Sequence, residues 1–131
     1  MIILDTCALI FDALTPTRLT AKAKKAINKA EQENNLFCCD ISLWEIAMLI
    51  QKKRLDPGVD MTVFLELALN ARNIQVLAIN VEIAAIACSL AAFTHGDPAD
   101  RLIAATSIHY QAKVITSDKK LKDLNEVEVI W

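Results

Sequence analysis

The chain has 131 residues, 54% of them apolar, with only 2 Gly and 3 Pro. That length fits one domain, residues 1–131, and that composition excludes disordered, collagenous and low-complexity classes. The formal charge of −2 argues at first sight against a nucleic-acid partner.

Aromatic residues make up 5% of the chain, so the core must be aliphatic. Mean hydropathy is high, at +0.33. The most apolar stretch, residues 81–93, is nonetheless 13 residues long and carries Glu82 and Ser89, too short for a bilayer core of about 30 Å. Residues 1–5 show no basic leader and no cleavage site, so no export and no membrane partner are expected, and the expected location is cytoplasmic. Cys7, Cys38, Cys39 and Cys88 show no CxxC spacing. Cys38 and Cys39 would face opposite sides of a strand, and the four read as small apolar residues of a reduced compartment. His95 and His109 have no ligand-like spacing.

In chain order, residues 2–4 form a short β-branched run that predicts a strand, followed by a helix over 6–14 that ends at Thr15-Pro16. Thr20 caps a second helix to about Asn34, with Lys22, Lys25 and Lys29 at helical spacing, and 36–39 is a second strand. Ser42 and Glu45 read as a capping box opening a helix to about Arg54. Pro57-Gly58 breaks the chain; a helix over 61–72 and a strand over 75–79 follow. Asn80 caps an Ala-rich helix ending near Phe93, and Gly96 marks a turn. Asp97 at an N-cap and Pro98 at the first helical position open a helix to about Gln111. A strand over 114–116, a short basic helix capped by Asp118 and a strand over 127–130 complete the chain. Such alternation predicts an α/β fold with a mostly parallel sheet covered by helices on both faces, and a site at the carboxyl ends of the strands.

That edge collects acids. Asp5 follows the first strand, Glu45 lies in the helix after the second, Asp97 and Asp100 sit in the opening turn of the helix at Pro98, and Asp118 follows the fourth strand. Each has a local alternative: Glu45 completes a capping box, Asp97 and Asp118 cap helices, and Asp100 complements a helix dipole. For Asp5 nothing in the sequence demands a cap, and Asp is depleted in strands. Two carboxylates about 5 Å apart repel by roughly 3 kcal/mol at an effective dielectric near 20, so convergence calls for a counterion. Hard oxygen donors select Mg²⁺ or Mn²⁺, one ion or two. Counting Asp5, Glu45, Asp100 and Asp118 as neutralised turns the −2 into +2 for the rest. Lys119, Lys120 and Lys122 beside Asp118 then become candidates for a phosphate backbone, whereas Lys22, Lys24, Lys25 and Lys29 read as a solvated face. Arg101 pairs with an acid or meets a phosphate; the sequence leaves both open.

The segments 3–10 (Ile-Leu-Asp-Thr-Cys-Ala-Leu-Ile), 41–47 (Ile-Ser-Leu-Trp-Glu-Ile-Ala), 95–106 (His-Gly-Asp-Pro-Ala-Asp-Arg-Leu-Ile-Ala-Ala-Thr) and 114–118 (Val-Ile-Thr-Ser-Asp) together resemble a PIN domain, specifically the VapC-type toxin of toxin–antitoxin pairs. The resemblance spans essentially the whole chain. It implies a three-layer, Rossmann-like α/β/α fold and metal-dependent endoribonuclease activity. By matched position it assigns catalysis and metal binding to Asp5, Glu45, Asp100 and Asp118. Thr6, Asp97 and Thr116 take supporting roles, and Arg101, Lys119 and Lys120 are candidate RNA contacts. It also implies a homodimer and a small antitoxin whose tail fills the groove. Lys53 departs from the pattern where a Gly often precedes Arg-Leu, as does Ser107 where Ala is usual. A haloacid-dehalogenase-like phosphatase would want an acid two residues after Asp5, where Cys7 stands. The remaining alternative is a non-catalytic PIN-like module that binds RNA or protein.

Overall fold

The computed structural model describes residues 1–90 and 97–131. Five strands, β1 (Ile2–Leu4), β2 (Leu36–Cys39), β3 (Gln75–Leu77), β4 (Lys113–Ile115) and β5 (Val129–Ile130), pair in the order β3-β2-β1-β4-β5. Every pairing is parallel. The helices are α1 (Thr6–Leu14), α2 (Ala21–Gln32), α3 (Asp40–Gln51), α4 (Met61–Ala71), α5 (Val81–Ser89), α6 (Pro98–Tyr110) and the single turn α7 (Lys119–Lys122).

Strand alternation sorts the core into two layers. Leu4, Cys38 and Ile115 face one side and pack with Leu9, Ile27, Ile46 and Phe64 from α1–α4. Their chain neighbours Ile3, Cys39 and Val114 face the other and pack with Ile103, Ala104 and Leu121 from α6 and α7. The adjacent cysteines thus divide between the faces, as small buried apolar groups. Helix α5 packs on α6 through Ile83, Ala87 and Ala105. Helices therefore cover both faces of the sheet, which is the three-layer α/β/α arrangement.

A chain with two glycines must end its helices with other residues. Asn34, Lys53, Asn73 and Gln111 all adopt left-handed conformations, with φ of 53°, 57°, 52° and 52°. Each is followed by an amide that reaches back along the helix: Asn35 N to Ala30 O, Arg54 N to Leu49 O, Ile74 N to Leu69 O and Ala112 N to Ser107 O. These are Schellman caps, which glycine normally serves. At Lys53 this explains why a Gly is expected before Arg-Leu. The Ser107 hydroxyl, 2.6 Å from Ala112 O, joins the same cap at the end of α6.

Boundaries differ in detail. Helix α2 ends at Gln32, β3 at Leu77, and β4 runs 113–115 rather than 114–116. Only Val129 and Ile130 of the last predicted strand pair, against Val114 and Ile115. The expected helix end near Phe93 and the turn at Gly96 lie outside the described residues. The larger correction concerns α3. It begins at Asp40, directly from β2, with Cys39 at its N-cap and no side-chain cap. Ser42 and Glu45 are therefore inside the helix and form no capping box; their side chains turn to α1 instead.

Candidate active site

The strand order places the site. From β1 the chain moves outward one way through β2 and β3, then returns to the other side of β1 for β4 and β5. The reversal lies between β1 and β4, and in open parallel sheets the crevice opens there, beyond the carboxyl ends. Asp5 directly follows β1, and Thr116, Ser117 and Asp118 directly follow β4.

Asp5 is buried, with 5% of its surface exposed. One carboxylate oxygen accepts from Ala8 N at 2.7 Å, so Asp5 is the N-cap of α1, contrary to the sequence expectation that no cap was needed there. Its other oxygen accepts from the hydroxyl of fully buried Thr116. Thr116 Oγ1 in turn accepts from Asp118 N at 3.0 Å. Asp118 caps α7 through Lys120 N, and Asp97 caps α6 through Ala99 N. On the facing side, the Thr6 hydroxyl at the start of α1 donates to Glu45 Oε1. Thr6 Oγ1 also lies 3.0 Å from Ser42 Oγ, a hydroxyl with no exposed surface. Ser42 was missed in the sequence because its spacing to Glu45 also fits a capping box.

Electrostatics tie the acids into one group. Burial, followed in size by the charges of Asp118, Asp97 and Glu45, pushes Asp100 up to about 7, and its protonated form hydrogen-bonds to Asp118. Burial raises Asp5 to about 6 against the lowering effect of the Thr116 and Ala8 hydrogen bonds, with Asp118 adding to the rise. Glu45 is raised by burial and by Asp97 and Asp5, and lowered by Thr6. Cys7, at the same place, is pushed up to about 11 by burial and by Asp5, Glu45, Asp100 and Asp118, which keeps it a neutral thiol. Five acids from four segments thus act on one another across one cleft. Arg101 is partly buried next to Asp100, and Lys119 and Lys120 are exposed immediately beyond Asp118.

Among the described residues no three His, Cys, Asp or Glu side chains form a ready-made cage for a metal ion. Hydroxyl and amide hydrogen bonds orient the Asp5 and Glu45 carboxylates. The donor chemistry fits a hard divalent ion all the same: oxygen ligands only, with mutual repulsion that such an ion would relieve. A separate cavity of about 340 Å³ lies between the end of α1 and α4, lined by Leu14, Phe64, Leu67 and Arg72 among others, and includes none of these acids.

Residues 2–127 match the PIN domain family. The chain belongs to that family. A relative, Ribonuclease VapC22 of Mycobacterium tuberculosis (strain ATCC 25618 / H37Rv), is 31% identical over 121 residues, which is 92% of this chain and 89% of that protein. Two solved structures are similar in fold. One is VapBC2 from Rickettsia felis bound to a DNA fragment from its promoter, with a TM-score of 0.75 at 16% identity, covering 98% of this chain and 97% of that one. The other is a toxin–antitoxin complex from Klebsiella pneumoniae, with a TM-score of 0.62 at 19% identity, covering 97% and 95%. The sheet order described above is therefore that of a PIN domain. Among the described residues no helix is long and apolar enough to cross a membrane.

Proposed function

We propose that this PIN domain is an endoribonuclease dependent on Mg²⁺ or Mn²⁺, and the toxin of a toxin–antitoxin pair. The observation that carries this reading is that Asp118, Asp97 and Glu45 all act on the half-buried Asp100 carboxyl, while Thr116 ties the Asp5 carboxylate to the Asp118 amide at the β1–β4 crevice. So much uncompensated acidity at one edge is costly unless a cation occupies it. The similarity to a protein named Ribonuclease VapC22 supports the reaction, and the fold shared with toxin–antitoxin complexes supports the partner.

In this reading Asp5, Asp100 and Asp118 would hold one or two ions, with Glu45 as a further ligand or as the orienter of the attacking water. A bound divalent ion supplies charge neutralisation and a more acidic water. Thr116 keeps Asp5 oriented, and Thr6 fixes one oxygen of Glu45, leaving Oε2 to meet the ion or the attacking water. Asp97 holds the start of α6 so that Asp100 faces the cleft. Lys119 and Lys120 meet the RNA backbone, and Arg101 lies beside Asp100 to contact the same strand. In-line attack on phosphorus leaves a 5′-phosphate and a 3′-hydroxyl. The partners in this proposal are an RNA substrate, a cognate antitoxin and a second copy of the chain.

The test is cleavage of cellular RNA by the purified chain in Mn²⁺ and in EDTA, with mapping of the new ends. Cleavage should require the metal and fall at least about a hundredfold in Asp100→Asn. Undiminished cleavage in EDTA refutes the metal, and RNA bound but never cut leaves a binding module in place of an enzyme.

A further inference from the structure

Thr6 stands between two side chains of α3 that lie one turn apart on the same face, Ser42 and Glu45. Its hydroxyl donates to Glu45 Oε1 and lies 3.0 Å from Ser42 Oγ. A hydroxyl carries one proton, and an ionised carboxylate only accepts. With the Thr6 proton committed to Glu45, the proton between Thr6 and Ser42 must come from Ser42. The chain therefore runs Ser42 Oγ–H to Thr6 Oγ1, and Thr6 Oγ1–H to Glu45 Oε1. Ser42 has no exposed surface and Thr6 only 7%, so water competes poorly for either hydroxyl. Without Ser42 the Thr6 hydroxyl loses its inner anchor and can turn away from Glu45.

We infer that Ser42 is a positioning residue: through Thr6 it holds the Glu45 carboxylate aimed into the acidic cleft. Thr116 performs the matching task for Asp5 on the opposite wall, anchored by Asp118 N. The cleft is thus flanked by two buried hydroxyls, each tied on its inner side and each fixing one acid. Side chains held by packing and a supporting hydrogen bond are what a site needs to keep its reactive oxygens in place. The inference rests on the proposed nuclease reading, in which Glu45 serves the site.

The test is a double-mutant cycle of Ser42→Ala, Thr6→Val and both together, read as kcat and KM for RNA and as Mn²⁺ affinity by calorimetry. Supporting residues of this kind typically change activity or metal affinity by about tenfold or more. Ser42→Ala should lower kcat by about tenfold with KM unchanged, and weaken Mn²⁺ binding. In the Thr6→Val background it should do nothing further, because its effect passes through Thr6. Effects that multiply in the double mutant, or a Ser42→Ala enzyme within about twofold of wild type, overturn the inference. Ala is a better helix former than Ser, so α3 should survive the change. Ser42→Cys, a weak donor of similar shape, provides a second variant and should match Ser42→Ala. If wild type cuts no RNA, the function proposal fails while the Mn²⁺ cycle still decides the relay. If wild type takes up no Mn²⁺ either, both fall.

Discussion

Neutralising Asp5 should stabilise the metal-free protein. Its carboxyl is buried, and its pKa is raised from 3.8 to about 6. A tenfold change in a proton-binding constant is worth about 1.4 kcal/mol, so holding this group ionised in the fold costs about 3 kcal/mol at neutral pH. Asn at position 5 keeps an acceptor for Ala8 N and remains a good N-cap. The raised pKa is already net of the hydrogen bonds from Thr116 and Ala8. The gain for Asp5→Asn is therefore up to about 3 kcal/mol, or roughly 10 °C in Tm. The sign follows from linkage. Below pH 4 the carboxyl is protonated in folded and unfolded chains alike and contributes nothing. Between about pH 4 and 6 the unfolded chain ionises first, and wild type loses stability relative to the variant. Thermal unfolding in EDTA at a series of pH values should therefore show the gap opening across that window and staying constant above it. Millimolar Mn²⁺ should raise the Tm of wild type and leave the variant unmoved, since binding stabilises only the state that binds. A variant less stable than wild type by the same amount at pH 4 and pH 8 would refute the reasoning, because the Asp5 charge would then carry no burial cost.

Replacing Lys119 and Lys120 by Gln should raise KM for RNA and lower the salt dependence of binding by about one to two, measured by filter binding over a salt series. Lys53→Gly should stabilise the fold by about 1 kcal/mol in urea unfolding, because Lys53 holds a left-handed conformation that costs a side chain about that much. Arg72 spans Asp12 at 2.9 Å and Glu31 at 2.8 Å, and the Asp12 side chain is only 5% exposed. Arg72→Ala should cost about 3 kcal/mol by leaving that carboxylate buried without its partner, and adding Asp12→Asn should recover part of the loss.

Much of this protein could be read along the chain. The apolar runs at 2–4 and 36–39, the Asp97-Pro98 helix start and the Asp118 cap are set by neighbours a few residues away, and they appear where local pattern puts them. Helix starts that serve tertiary contacts were less legible. The Ser42–Glu45 spacing satisfies two different arrangements, and the packing of α3 on α1 chose the one in which both side chains meet Thr6. Asp5 reads as an acid without a cap to fill, yet the turn from β1 into α1 makes it one. The first and last acids of the cleft are far apart in sequence and belong to neighbouring strands, β1 and β4. Residue types and their positions after strands are properties of the sequence. Their arrival at one crevice depends on strand order, which is fixed by which β-branched faces bury best against which helices, and no local pattern encodes it. The same long-range packing sets the burial that raises Asp5 and Asp100, so the acidity of the site belongs to the fold and not to any one segment.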